Sequence, residues 1–169
     1  VAPSRGLGDG YKRQVVDAGN SAGRIIFIDN QNYNNGIQLN QINGPESDLP
    51  VTFIFSALKP VVLTGTITGN VRMFFAGDFQ FGMGTETVAY NGLTMFMSNG
   101  DMKICSSIWS YKNNPGGGFL SSDKDITIVE SASFQGQIQC RGNFKTSGLI
   151  QFNDSVLKAP GFTVPKGMK

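Results

Sequence analysis

FFAGDFQF at residues 74–81, MSNGDMKI at 97–104, SSDKDITI at 121–128 and QCRGNFKT at 139–146 are four versions of one pattern. Each centres on an acid or amide (Asp78, Asp101, Asp125, Asn143), and these anchors are spaced by 23, 24 and 18 residues. One position after the anchor stand Phe79, Met102, Ile126 and Phe144. Three after it stand Phe81, Ile104, Ile128 and Thr146, and five before it stand Met73, Phe96, Leu120 and Ile138. Apart from Thr146 the three columns are apolar throughout. Gly77, Gly100 and Gly142 precede the anchor in three copies, as a turn needing positive φ would require.

Strands this short cannot bury their own faces, and repeats of this kind gain a core only by stacking on their neighbours. The columns therefore predict an all-β fold, a parallel β-solenoid in which equivalent side chains of successive coils pile up. The competing architecture is an antiparallel β-sandwich or jelly roll, the commoner arrangement for chains of short strands. TITGNVRM at 66–73 and MFMSNGDMKIC at 95–105 both carry the turn chemistry of two-residue hairpins. Hairpins alone do not produce agreement between columns, and that agreement favours the solenoid.

Outward from the repeat, NGPESDLP at 43–50 is the clearest breaker in the chain. It predicts a division into an N-terminal arm or cap with short strands, residues 1–50, and a repetitive β-domain, residues 51–169. Within the first part, residues 1–24 show little periodicity. RIIFID at 24–29 and residues 37–42 read as strands around the Asn-rich turn NQNYNNG at 30–36.

Composition agrees with strands and turns. Charged residues are 15% of the chain, against a usual value of about a quarter, and 22 glycines replace the residues long helices need. A hydrophobic fraction of 40% with 13 Phe excludes global disorder. A net charge of +2 with scattered basic residues excludes the electrostatic footprint of nucleic-acid binding. No apolar run reaches ~18 residues, so no membrane span is expected in this chain. A first residue Val1 instead of Met suggests a processed product lacking its targeting element.

Residues 126–157, ITIVESASFQGQIQCRGNFKTSGLIQFNDSVL, combine apolar triplets with a Gly-Asn turn, and Gly100-Asp101 repeats that turn upstream; Lys124-Asp125 departs from it. This texture resembles the solenoid segments at the C-terminal end of type IV pilus-assembly proteins and minor pilins. The resemblance implies a structural role in a surface filament.

The chain has no His, which removes the usual general base and the Ser/His and Cys/His nucleophile arrangements, so no enzyme activity is expected. Asp78, Asp101 and Asp125 would form a ladder along one solenoid edge, fit for calcium or for acid/base work on a polysaccharide. Stacked like charges repel, and the preferred role is that of turn residues bonding their own backbone. NQNYNNG alternates oxygen ligands like a calcium loop, but Gln41 stands where the bidentate Glu belongs. No metal or cofactor is expected. GLGDG at 6–10 has no strand before it and no helix after it, so it is not a phosphate loop. Asn153-Asp154-Ser155 is a formal glycosylation sequon.

Trp109 and Tyr111 share a face of an extended segment, and the amides of Asn113 and Asn114 follow, as in a carbohydrate-binding site. Cys105 and Cys140 are a candidate disulfide. A solenoid sets them two coils and roughly 9–10 Å apart, too far for a bridge, whereas a sandwich would allow one.

The functional expectation is a non-enzymatic structural subunit of an extracellular filament, pilus or virion. Its partners would be further copies of itself or neighbouring filament or virion subunits. The alternatives are an adhesin that binds a surface glycan, and a phage or viral coat or tail protein built as an antiparallel sandwich.

Overall fold

A computed structural model describes residues 15–31, 37–47, 49–83, 88–90, 92–109, 117–153 and 157. The described residues fold as short strands joined by corners. The first coil contains β1 (Val15–Asp17), β2 (Ile25–Ile28) and β3 (Ile37–Leu39), and the second β4 (Gln41–Asn43), β5 (Val51–Phe55) and β6 (Val61–Leu63). Next come β7 (Ile67–Thr68), β8 (Val71–Phe75) and β9 (Phe79–Phe81), then β10 (Val88–Tyr90), β11 (Leu93–Ser98) and β12 (Met102–Ile104). The chain continues through β13 (Ser107–Ile108), β14 (Gly117–Ser122), β15 (Ile126–Ile128), β16 (Ser133–Cys140), β17 (Phe144–Thr146) and β18 (Leu149–Phe152).

Each strand pairs in parallel with its equivalent one coil away, which builds three faces. The first face runs β1-β4-β7-β10-β13-β16-β18, and the second runs β2-β5-β8-β11-β14-β16. The long β16 turns the corner between these two faces and joins them into one sheet. The third face is a separate six-stranded sheet, β3-β6-β9-β12-β15-β17. This is the parallel β-solenoid that the columns predict, and every pairing between the described strands excludes the antiparallel sandwich.

All three columns fall in register. Phe79, Met102, Ile126 and Phe144 are successive partners, and so are Phe81, Ile104, Ile128 and Thr146. Met73, Phe96, Leu120 and Ile138 follow one another on the second face. The interior these columns line is aromatic in its middle coils, where Phe75 stacks on Phe79 at 3.9 Å and on Phe55 at 5.2 Å. Phe96 packs tilted against Phe79 and Phe81. Each fully buried Phe contributes about 1.5–3 kcal/mol over an exposed one, so a strand of three residues is held by its neighbours.

The boundary expected at residue 50 falls inside the second coil, between β4 and β5. β2 pairs with β5 and β3 with β6, so the strands of residues 15–43 belong to the same stack. The repeat is hard to follow there because Pro60 occupies the anchor position, directly below Asp78.

Both hairpin signals mark corners. Gly69, at φ 79°, lets the chain turn from the first face to the second instead of back on itself. Asn70 then binds both adjoining coils. Its side-chain nitrogen donates to the Ser47 carbonyl at 2.6 Å, and its Oδ1 accepts the Leu93 amide at 2.8 Å. Asn99-Gly100 forms the corner from β11 to β12.

The glycines before the anchors have a different reason from the one expected. None of Gly77, Gly100 and Gly142 lies at positive φ. A Cβ on Gly100 would run into the Asp78 carboxylate, and one on Gly142 into that of Asp125. The requirement is space for the coil below.

Candidate functional site

The anchor residues line one corner of the third face. Asp78 Oδ1 accepts the Asp101 amide at 2.9 Å, Asp101 Oδ1 accepts the Asp125 amide at 3.1 Å, and Asp125 Oδ1 accepts the Asn143 amide at 2.8 Å. Each carboxylate thus serves the coil that follows, where a bond to its own turn was expected. The longest of the three bonds sits beneath Lys124, the one residue in this series that replaces the small glycine. Beside the anchors runs a shallow groove floored by Val62, Gln80, Lys103 and Thr127. Its carboxylates already satisfy backbone donors. Among the described residues no group of three His, Cys, Asp or Glu could hold a metal ion.

One step inward the hydroxyls form a second relay. Ser98 Oγ donates to the Gly77 carbonyl at 2.7 Å and accepts the Gly100 amide at 2.9 Å. Ser122 repeats this with the Gly100 carbonyl at 2.7 Å and the Lys124 amide at 2.9 Å. The column containing these serines begins with Ile28, Phe55 and Phe75 and ends at Cys140. Among the described residues no buried side-chain nitrogen or oxygen lacks a hydrogen-bond partner.

Of the sugar-site residues, Trp109 follows β13, with its amide held by the Ala89 carbonyl at 2.9 Å and its side chain on the surface. Tyr111, Asn113 and Asn114 lie outside the described residues. So do residues 32–36 of the Asn-rich turn, the GLGDG segment and two positions of the sequon. Asn30, at the start of that turn, is buried and pairs with the backbone of Ala57 in the next coil at 2.9 and 3.4 Å. Cys105 and Cys140 are both free; Cys105 is buried and Cys140 half-buried. Burial pushes the Cys105 thiol pKa up, against an opposing pull from the Lys103 ammonium.

The least satisfied surface is the last coil. Phe144 occupies the same column as Phe79, Met102 and Ile126, which are buried, yet it is 37% exposed. Leu149 and Phe152 on β18 are 67% and 64% exposed. Ile138 and Ile150 at the adjoining interior positions are half-buried. β17 stands at the end of its sheet and β18 pairs only with β16 among the described strands. At the other end the inward-facing Ala18, Ile26, Ile28 and Leu39 are all buried, and the exposed apolar residues there are Val15, Ile25 and Phe27. Phe144, a column residue in the sequence, thus lies at an apolar end with Leu149 and Phe152. LIQF at 149–152 reads like any short buried strand and gives no sign of this exposure.

The only resolved ion pair among the described residues near this end, Arg141 with Asp123 at 3.6 Å, is largely exposed and adds little to stability. On the second face an outward apolar column runs through Phe27, Ile54, Phe74 and Met97 before it turns polar at Ser121 and Gln139. Comparison of the chain with family models, curated proteins and solved structures finds no match.

Proposed function

We propose that this chain is a non-enzymatic structural subunit that joins copies of itself through the open coil formed by β16, β17 and β18. The observation that supports this is the exposure of Phe144, Leu149 and Phe152 beside strand edges that have no partner among the described strands. Unpaired edges and exposed apolar surface are ready templates for pairing with another chain. A second copy is the suited partner because β1, β2 and β3 stand at the opposite ends of the same sheets. Only head-to-tail contact continues parallel pairing, and such a contact propagates into a filament unless it closes into a ring.

Charge supports the same orientation. Residues 15–31 carry Asp17, Asp29 and Arg24, for a net −1, while residues 133–153 carry Arg141 and Lys145, for a net +2. An extracellular filament, pilus or virion is the setting this reading favours. Sedimentation velocity over a concentration series tests it. The expected result is association that the double variant Leu149→Asp, Phe152→Asp abolishes. A chain that stays monomeric at every concentration, both whole and ending at residue 153, overturns the proposal.

The exposed Trp109 ring supports a second reading, as an adhesin for a surface glycan. Glycan-array binding lost in Trp109→Ala, with the fold intact, would favour it.

A further inference from the structure

Away from the open end, the outer side of the second face carries an apolar surface with a pattern of its own. In the first four coils its outward positions are Ile25 and Phe27, Thr52 and Ile54, Arg72 and Phe74, then Met95 and Met97. Arg72 is the one charge among them, and its Nε donates to Thr52 Oγ1 at 3.0 Å. A charged partner finds little to pair with here, and the surface suits a second apolar one.

The column Phe27, Ile54, Phe74 and Met97 alternates in height. Phe27 is 51% exposed and Phe74 39%, whereas Ile54 and Met97 are half-buried. Beside it runs a groove of about 370 Å³, lined by Ile54, Phe74, Met97, Asn99 and Ser121. Two rings thus stand proud, and between and beyond them lie recesses. Turning a second stack end for end, about an axis between the second and third coils, lays Phe27 on Met97 and Phe74 on Ile54, each pair twice. Every proud ring then meets a recessed side chain. Moving the axis by half a coil sets Phe74 against Phe27 or against itself, ring on ring, so the pattern selects one register.

We propose that the second face docks on the same face of a second copy, with the two stacks running in opposite directions. A two-fold contact demands such self-complementarity, and sheets pack face to face at about 10 Å. Only the first four coils overlap, so the open end projects beyond the contact in each copy, and the proposal does not rest on end-to-end assembly. With strands about 4.8 Å apart and a rise of about 3.3 Å per residue, four coils of five residues give a flat area of about 300 Å² per copy. A standard stable interface needs about 800 Å² per partner, so the contact belongs to the weak, transient class.

The chain carrying Leu149→Asp and Phe152→Asp, with its end contact disabled, isolates this surface. Sedimentation equilibrium up to about 1 mM is expected to show a monomer–dimer equilibrium with a Kd of about 0.1–1 mM. Adding Phe27→Asp or Phe74→Asp should raise that Kd about tenfold or more. Mixing the Phe74→Asp chain with an Ile54→Lys chain should recover part of the loss, because the reversed stacking sets those two positions together. Thermal midpoints check each fold, and Phe27→Asp, on the outermost strand of the face, keeps the test if Phe74→Asp fails to fold. A chain that stays monomeric to about 1 mM in this background overturns the face-to-face contact and leaves end-to-end assembly to its own test. A dimer that neither Asp substitution weakens overturns it as well. Dimers lost in both variants, from a chain whose ends never associate, uphold this contact and remove the assembly proposal.

Discussion

Phe96 and Phe144 stand on neighbouring columns of one solenoid, but the coils around them differ. In the middle coils the columns are continuous, and Phe96 is in contact with aromatic rings from three positions, Phe75, Phe79 and Phe81. In the last described coil the same pattern of side chains has a neighbour on one side only among the described strands. An apolar residue at a repeat position therefore stabilises in proportion to the coils that flank it, and the repeat alone does not tell a core position from an interface.

The largest expected effect follows directly. Phe96→Ala should cost about 3–5 kcal/mol, the range for a large aromatic removed from a packed interior. Phe144→Ala should cost only about 1–2 kcal/mol, since part of its surface is already in water. Urea denaturation of both variants measures the gap, and equal losses would erase the distinction between the two regions.

Gly100→Ala and Gly142→Ala sharpen the comparison. Both introduce a Cβ against a carboxylate of the preceding coil. Gly100 is enclosed by coils on both sides and should lose about 1–3 kcal/mol by overpacking. Gly142 lies in the last described coil and can shift outward, so its loss should be the smaller of the two. A larger loss at Gly142, read as a lower thermal midpoint than that of Gly100→Ala, would contradict this.

The relay supplies a subtler contrast. Asp101→Ala removes the acceptor for the Asp125 amide and should cost about 1 kcal/mol. Asp101→Asn retains an acceptor oxygen, as Asn143 does naturally at the same position, and should be near neutral by the same denaturation measurement. An equal loss in both variants would mean that the charge, not the oxygen, matters.

The smallest effect is chemical. At neutral pH Cys140 should react with a thiol reagent well before Cys105, whose burial holds the thiol in its neutral, less nucleophilic form. Mass spectrometry of partly labelled protein reads the order. Faster labelling of Cys105 would show that the middle of the stack opens more readily than its end.

The register of the repeat was legible in the sequence because apolar columns and acid or amide anchors recur together. Phe79, Met102, Ile126 and Phe144 could be aligned without coordinates. The earlier coils were hidden because Pro60 replaces the anchor and because Gly69-Asn70 uses the same local chemistry for a corner as for a hairpin. Positive φ was a reasonable expectation for Gly100, but its true constraint comes from a residue 22 positions earlier, Asp78, which no local rule reveals. The open end was illegible for a similar reason. Exposure depends on what lies above a coil, and the letters of Phe144 match those of buried Phe79.

The carboxylate relay also has a direction. Each oxygen belongs to an earlier residue and each amide that needs it to a later one, while backbone bonds at the same corners run the other way: the Phe79 amide donates to the Asp101 carbonyl and the Met102 amide to the Asp125 carbonyl, both at 2.9 Å. A corner emerging amino end first during synthesis therefore holds a side-chain acceptor ready for the next coil but gains its own backbone acceptor only when that coil arrives. Adjacent corners are interlocked in both directions, and each is completed by the one that follows.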